Sequence, residues 1–382
     1  MLLIRSGRVI DPANSIDAIM DVAVEGDKIT AVAPHMKPKS EKDNVIDAEG
    51  CFVLPGLIDH HAHFKPFAKI GLPSEAVCFS SGVTTAVDAG STGCDNFASR
   101  LETAKQMRLT LKTYLNVCSI GLDSLPDPLE DVNPDHWNRG KIAECFEKYG
   151  DSLIGLKLRT SAPIVKELGW KPLKAMLELA GELGVSVMVH CTNPPGYLGD
   201  LLDMLRPGDV ITHMYMNQGP CLIENGRVIP EAISARERGV LFETADARLH
   251  FGLPVAQAAI GQDFLPDIIA TDITKLSMYL RPTAFSLAMQ MAKYTHLGIP
   301  FYEVVRRCTI NPARQMGIAD CAGSLTVGHP ADVAVFKPLE KENFFADRPF
   351  GNPDQKSTIG HTIFRPMLTL KSGEMVYRDI AF

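Results

Sequence analysis

The chain has 382 residues, of which 46% are hydrophobic and 22% are charged, and its formal net charge is −7. This mildly acidic balance offers no basic footprint for nucleic acid and no polybasic surface for membranes, so neither partner is expected. No stretch approaches the roughly 18 consecutive apolar residues of a membrane span, and Arg5 interrupts an apolar start that is already too short for a secretory signal. The nine cysteines are odd in number and show no paired spacing, which predicts reduced thiols and a cytoplasmic location.

Residues 1 to 53 predict a small antiparallel β unit. Short apolar runs alternate with turn residues, such as Glu25-Gly26-Asp27. A unit of this size is too thin to be stable alone, so strands from elsewhere in the chain are expected to complete it. The predicted strands are Leu2–Ile4, Arg8–Ile10, Ile19–Val24, Lys28–Val32 and Asn44–Ile46.

From Leu54 the pattern changes to strand followed by helix. Eight such alternations over about 270 residues predict an α/β fold with a (β/α)8 TIM barrel. The alternative is a doubly wound open sheet, but the chain has no G-x-G-x-x-G fingerprint to favour it. The strands after the first are predicted at Thr84–Asp88, Leu111–Cys118, Leu153–Arg159, Val185–His190, Val210–Tyr215, Val240–Thr244 and Ile268–Asp272. The helices between them are predicted at Asn96–Arg108, His136–Tyr149, Pro172–Leu183, Gly199–Leu205, Glu231–Arg238 and Val255–Gly261.

The last part of the chain returns to strands. Two helical stretches, Ala284–His296 and Phe301–Cys308, precede a strand-like run from Gly323 to Phe336 and a hairpin signal at Ser372-Gly-Glu374. We expect the two chain ends to join in a β-sandwich of residues 1–53 plus 320–382, beside a barrel of residues 54–319. The polar segment Leu339–Thr358 is predicted to be a loop.

Metal-ligand residue types recur at the predicted carboxyl ends of the barrel strands, where barrel enzymes place their functional groups. His61 and His63 are two residues apart on the first strand, so both imidazoles can reach one point. A bare His-x-His can also be chance on an edge strand, but Lys157, His190, His213 and Asp272 lie at the same height in later repeats. His60 is expected to contact a helix, and the remaining loop and helix histidines are expected at solvent or caps: His136, His250, His296, His329 and His361.

The order of these motifs resembles the amidohydrolase superfamily over nearly the whole chain. The resemblance rests on Gly56-Leu-Ile-Asp-His-His-Ala-His63, Gly82-Val-Thr-Thr85, Asp88-Ala-Gly90, Gly155-Leu-Lys157, Val189-His190, Thr212-His213, Thr271-Asp272, Thr309-Ile-Asn-Pro-Ala313, Gly323-x-Leu-x-x-Gly328 and Ala331-Asp332. Each motif is weak alone, and their order is specific. The family fold, a (β/α)8 barrel with a split β-sandwich, agrees with the pattern described above.

The resemblance implies a centre of two divalent metal ions, most simply Zn²⁺, although manganese, iron or cobalt would suit mixed nitrogen and oxygen ligands too. His61, His63 and Asp272 would hold one ion, and His190 and His213 the second. Lys157 would be carbamylated to N6-carboxylysine and bridge them. A metal-bridging hydroxide would attack the substrate carbonyl, with Asp272 as the catalytic residue that accepts and returns the proton.

Candidate substrate residues are those two positions past a ligand: Lys65, Arg159, Thr192, Tyr215 and Thr274. Arg159 is the best candidate for gripping a carboxylate. Dihydroorotase carries an arginine at the position of Lys65, which argues against true dihydroorotase. The motifs resemble most a branch variously called dihydroorotase-like, adenine deaminase-like or amidohydrolase/deacetylase. The chain departs from that branch at Ala245-Asp-Ala-Arg-Leu-His250, where a Gly-rich turn is usual, and at Asp272-Ile-Thr-Lys275, where a histidine often follows the aspartate.

The sequence therefore predicts a binuclear metal-dependent hydrolase that cleaves an amide or ester bond, with deacetylation as one candidate reaction, in a small carboxylate-bearing molecule. A purine-type deaminase or a dihydroorotase-like cyclic amidase is the enzymatic alternative, and a ligand-poor assembly partner is the non-enzymatic one. The chain retains all six ligand positions, which disfavours the last. A homo-oligomer is an expectation from the family only.

Overall fold

Both ends of the chain meet in one sheet. The computed structural model describes residues 1–125, 130–279 and 284–382. Eight strands, numbered in chain order, form the terminal sheet: β1 (Leu2–Asp11), β2 (Ile16–Glu25), β3 (Lys28–Ala33), β4 (Asn44–Asp47), β5 (Phe52–Pro55), β17 (Val333–Ala346), β18 (Ser357–Lys371) and β19 (Glu374–Arg378). Their order is β19-β18-β17-β5-β1-β2-β3, with β4 paired to β1.

The two termini join where β5 pairs antiparallel with β17, with Val53 opposite Val335. An apolar core of its own, which includes Ile4, Val22 and Leu368, packs within this unit. The C-terminal strands therefore extend the thin N-terminal unit through the pairing of β17 with β5. The domain boundaries at residues 53/54 and 319/320 stay a prediction.

The prediction of a loop over Leu339–Thr358 is wrong for half of that segment, because its first eight and last two residues are strand. Strand β17 runs to Ala346 and pairs with β18, so that Ala346 lies opposite Ser357. Polar residues such as Lys341 and Glu342 are exposed on this long ribbon, whereas most of the Asp, Asn and Pro residues that suggested a loop follow Ala346. Cross-strand hydrogen bonds hold the ribbon, so its polarity reflects an exposed face rather than an irregular backbone.

Seven parallel strands form the barrel wall: β6 (Leu57–Ala62), β9 (Val83–Gly93), β10 (Thr110–Asn116), β11 (Leu153–Arg159), β12 (Ser186–His190), β13 (Val210–Thr212) and β16 (Leu241–Phe242). They follow one another in the order β16-β13-β12-β11-β10-β9-β6. The predicted eighth strand is irregular, and it closes the wall through two isolated parallel bridges, Glu243 to Ile268 and Ala62 to Ile273. The predicted (β/α)8 class is thus confirmed. Two small pairs lie outside the wall: β7 (Phe64–Lys65) with β8 (Leu72–Pro73), and β14 (Ile223–Glu224) with β15 (Arg227–Val228).

Helices cover the wall, and the predicted ones are present with shifted ends. The α-helices are α1 (Ser74–Phe79), α2 (Phe97–Ala104), α3 (Arg139–Tyr149), α4 (Ala162–Val165), α5 (Lys171–Leu183), α6 (Leu198–Met204), α7 (Pro230–Glu237), α8 (Leu253–Ile260), α9 (Lys275–Tyr279), α10 (Leu287–His296), α11 (Phe301–Arg307) and α12 (Ile310–Gln315). Short 3-10 turns occur at Gly121–Ser124, Pro134–His136 and Lys166–Leu168. In α5, Leu173, Met176 and Ala180 recur every three or four residues and are buried, which is the spacing of one helix face. Among the described helices, none is both long and apolar enough to cross a bilayer.

One end of the barrel is closed by α12. Ile310 and Ala313 pack with Ile58, Tyr114 and Val210, most of which lie near the amino ends of their strands. The carboxyl ends of the strands are therefore left to form a cavity, as is general for this fold.

Candidate metal centre

The first two histidines stand at the end of β6, and each is oriented by a second contact. His61 Nδ1 lies 2.8 Å from Glu243 Oε2 and 3.0 Å from Thr212 Oγ1. His63 Nδ1 lies 2.8 Å from Ser91 Oγ, which in turn donates to Asp88. Because both Nδ1 atoms are occupied, both Nε2 atoms are left to face the cavity, the arrangement usual for metal-binding histidines.

Asp272 meets these two histidines from the irregular eighth segment. Its Oδ1 lies 3.6 Å from His61 Nε2 and 3.2 Å from His63 Nε2. The backbone of Asp272 is left-handed, with φ 52°, and its amide donates to the carbonyl of His61 at 2.6 Å. Burial alone would raise the pKa of Asp272, but the hydrogen bond from His63 and the neighbouring histidines lower it to about 2. The carboxylate is therefore ionised at neutral pH.

Lys157 lies at the carboxyl end of β11, fully enclosed. Its side chain is 3% exposed, and its Nζ has no hydrogen-bond partner among the described residues. Burial lowers the pKa of Lys157 to about 8, against the opposing charges of Glu243 and Asp272. An orphaned, buried amine costs free energy unless another group satisfies it, so this position fits a lysine that carries an added carboxylate.

His190 and His213 come from β12 and from the residue after β13. His213 Nε2 lies 2.8 Å from His190 Nδ1, and His213 Nδ1 donates to the carbonyl of Ala245 at 2.6 Å. Burial lowers the pKa of both imidazoles well below the usual value. Both rings are thus neutral, which is the form that binds a metal.

His250 corrects the expectation that it lies at solvent or in a cap. It stands with His190 and His213, and burial lowers its pKa to about 4. Its Nδ1 lies 2.9 Å from Thr192 Oγ1, and its Nε2 lies 3.8 Å from Asp272 Oδ2. No signal in the sequence marked it, apart from its place in the unusual loop after β16.

His60 contacts a helix, as predicted. Its Nε2 lies 2.7 Å from Gln315 Oε1 at the end of α12. Its Nδ1 lies 2.6 Å from Glu243 Oε1, so one buried carboxylate joins His60 and His61.

These groups open into a cavity of about 580 Å³ at the carboxyl ends of the strands. Its lining includes His61, His63, Lys157, His190, His213, His250 and Asp272. Basic side chains line it as well, namely Lys69, Arg159, Arg248 and Lys275, together with the apolar Ile70, Ala89, Leu122, Leu125, Ala247 and Leu276. The cavity thus combines a histidine-rich floor with a cationic, partly apolar mouth.

Some of the candidate substrate residues line the cavity and others do not. Arg159 lines the cavity, and its NH1 donates to both oxygens of the buried Glu130 at 3.0 and 2.9 Å. Thr274 also lines it. Tyr215 does not, because it is completely buried and its hydroxyl donates to the carbonyl of Phe264 at 3.2 Å. Lys65 is exposed in β7 and is likewise not part of the lining.

Two sets of three donor atoms lie within 4.8 Å of one another among the described residues. They are His61, His213 and Asp272, and His190, His213 and His250. Imidazole nitrogen with carboxylate oxygen is a donor set that suits zinc. The residues present therefore fit divalent ions.

The sequence profile of the Amidohydrolase family matches residues 52–358, and the chain belongs to that family, as predicted. It is accordingly a hydrolase, of a family whose members cleave carbon–nitrogen bonds.

Individual relatives cover most of the chain. It is 33% identical over 331 residues to a deacetylase of Agrobacterium fabrum. The aligned region covers 84% of this chain and 79% of the deacetylase. The crystal structure of a dihydroorotase matches with a TM-score of 0.87 and 27% identity over 99% of this chain and 100% of that one. The crystal structure of an adenine deaminase matches with a TM-score of 0.88, 23% identity and 99% of each chain, which is a likeness of fold.

Proposed function

We propose that this chain is a binuclear metal-dependent hydrolase that cleaves an amide or ester bond, with deacetylation as the first candidate, in a small carboxylate-bearing molecule. The observation that carries the proposal is the buried Nζ of Lys157, which lies in a cavity floored by histidines and has no hydrogen-bond partner in the described part of the chain. The deacetylase relative supports the choice of an acetyl group.

His61, His63 and Asp272 would hold one ion, and His190 and His213 the other. The neutral amine of Lys157 would add to carbon dioxide, forming an N–C bond and releasing one proton, and the resulting carboxylate would lie between both sites. Two divalent ions would supply a water of lowered pKa as nucleophile and would polarise the substrate carbonyl.

Asp272 would take up the proton of the attacking water at its carboxylate and return it to the leaving nitrogen or oxygen. Its pKa of about 2 keeps it in the accepting form at neutral pH. Its orientation depends on the backbone contact to His61, which holds the carboxylate beside the histidine nitrogens.

Arg159 would bind the substrate carboxylate. The bond to Glu130 uses NH1, and the other guanidinium N–H groups, which have no hydrogen-bond partner among the described residues, could pair with an anion. Arg248, which has no ion-pair partner among the described residues, adds positive charge at the same mouth. The apolar lining from Ile70, Leu122 and Leu276 would accept a modest hydrophobic substituent.

Metal analysis combined with a matched substrate panel tests this proposal. The protein, reconstituted with Zn²⁺ and bicarbonate, is assayed with N-acetyl and O-acetyl α-substituted carboxylates and with their uncharged amides, with dihydroorotate, and with adenine. We expect two ions per chain and release of acetate from the carboxylates, lost in Asp272→Asn. Release of ammonia from adenine without release of acetate would show that the reaction is deamination. Ring opening of dihydroorotate without release of acetate would show that it is cyclic amide hydrolysis. A cytoplasmic location and a homo-oligomer stay predictions.

A further inference from the structure

The ring of His250 lies about as far from His190 and His213 as those two rings lie from each other. The ring centroids of His190 and His213 are 4.4 Å apart, and His250 lies 4.3 Å from His213 and 4.9 Å from His190. The rings of His61 and His213 are farther apart, at 5.2 Å. His250 thus belongs to the half of the centre that has the fewer assigned donors.

The hydrogen bond at Nδ1 of His250 is also of the kind that orients metal-binding histidines. His61, His63 and His213 each have Nδ1 bound to an oxygen, and Nε2 is directed inward. His250 has the same arrangement, with Nδ1 at 2.9 Å from the hydroxyl of Thr192. Its Nε2 faces Asp272 Oδ2 at 3.8 Å, as the Nε2 atoms of His61 and His63 face Asp272 Oδ1. Thr192 therefore orients Nε2 of His250 into the centre.

We propose that His250 is a third imidazole ligand of the ion assigned to His190 and His213, an inference that rests on the proposed binuclear centre. The three nitrogens lie within 4.8 Å of one another, and three histidines are a complete protein ligand set for zinc. The second ion would then keep its place through three segments, β12, the end of β13 and the loop after β16. With three histidines, occupancy of the second metal site would depend less on the modified Lys157 than it would with two histidines.

Cobalt titration tests the inference without relying on turnover. Metal-free protein in bicarbonate buffer is titrated with Co²⁺ by calorimetry while the visible absorption of the bound ion is recorded. The variants are His250→Ala and the size-conserving His250→Gln, and the control is His136→Ala, an exposed histidine whose Nδ1 lies 2.7 Å from Asp131. Circular dichroism verifies that each variant is folded, and X-ray absorption of the cobalt-loaded protein counts imidazoles per ion.

We expect two ions in the unaltered protein, and both His250 variants should weaken one of them by about 10-fold or more. The absorption of that ion should change, the imidazole count should fall, and the control should behave as the unaltered protein. If both dissociation constants stay within about twofold while KM rises, His250 contacts substrate instead and the inference is wrong. If the unaltered protein bound fewer than two ions, the proposed binuclear centre itself would fail, and this assignment with it.

Discussion

Gly90 lies against the stem of Lys157 so closely that a Cβ atom on Gly90 would be 2.5 Å from both Cβ and Cγ of the lysine. Gly90 also has φ 82°, a region that side-chain-bearing residues rarely adopt. The backbone of β9 thus leaves the space in which the buried lysine stands.

Gly90→Ala should therefore displace Lys157 as well as strain β9. We expect bound metal to fall below two ions per chain and kcat/KM to fall about 10- to 100-fold, since small misplacements near the reacting groups are costly. Elemental analysis and steady-state kinetics measure both. Gly140→Ala is the matched control, because a Cβ there meets nothing closer than 3.8 Å and the residue lies on α3. Equal losses in both variants would show that the contact with Lys157 has no special role.

The pH dependence of reconstitution should follow Lys157. Only the neutral amine reacts with carbon dioxide, and the neutral form predominates above the pKa of Lys157, which burial lowers to about 8. At constant dissolved carbon dioxide, the rate at which metal-free protein recovers activity with Zn²⁺ should rise from pH 6 to about 8 and level off above it. An unburied lysine would keep rising toward about pH 10.4. Lys157→Met should not recover, and a rate independent of pH would contradict carbamylation as the limiting step.

The candidate ligands could be picked from the sequence because they end extended strands, and the pattern failed where the backbone turns. His213 has φ 64°, so the rule that positions i and i+2 share a face stops there, and Tyr215 enters the core. His250 was missed for the same reason, because Ala245 and Ala247 both have positive φ and return the chain to the cavity. Left-handed residues other than glycine leave no mark in the sequence, so such returns are visible only in the structure.

Glu243 should determine the affinity of the ion assigned to His61. Its two oxygens bind Nδ1 of His60 and of His61, and it is completely buried. Glu243→Gln keeps the shape and removes the charge, so we expect the dissociation constant of one ion to rise about 10- to 100-fold. Equilibrium dialysis against Zn²⁺ measures it, with the exposed Glu102→Gln as control. Unchanged affinity with lower thermal stability would make Glu243 purely structural.

Arg159 should set the preference for anionic substrates. Arg159→Gln removes a charged hydrogen bond worth about 1.5–3 kcal/mol, so KM for acetylated carboxylates should rise about 10- to 100-fold with little change in kcat. Arg159→Lys should restore only part, because an ammonium cannot form the planar fork. Arg139→Gln removes an exposed arginine paired with Glu182 and serves as control. Equal effects on the uncharged amide substrates would show that Arg159 does not read the carboxylate.

Asp246 should hold the turn that carries the second half of the centre. It lies between Ala245, whose carbonyl binds His213, and Ala247, which lines the cavity. Its carboxylate is buried and bound by Lys293 and by Tyr294 of α10, the latter at 2.9 Å. Left-handed φ values at both alanines cost roughly 1–2 kcal/mol each, so this buried group offsets strain in the turn.

Removing the charge of Lys293 alone should then destabilise the protein more than removing the charges of both Lys293 and Asp246. Lys293→Met leaves an uncompensated buried carboxylate and should lower the free energy of unfolding by about 3–5 kcal/mol, whereas Asp246→Leu combined with Lys293→Met should recover much of that loss. Denaturant unfolding of the metal-free proteins measures the cycle, with Lys341→Met, an exposed lysine on β17, as control. Because the turn also orients His213, the double variant should still bind the second ion weakly although it is stable. Additive losses of stability, or normal affinity for both ions in the double variant, would mean that the turn keeps its shape without this ion pair.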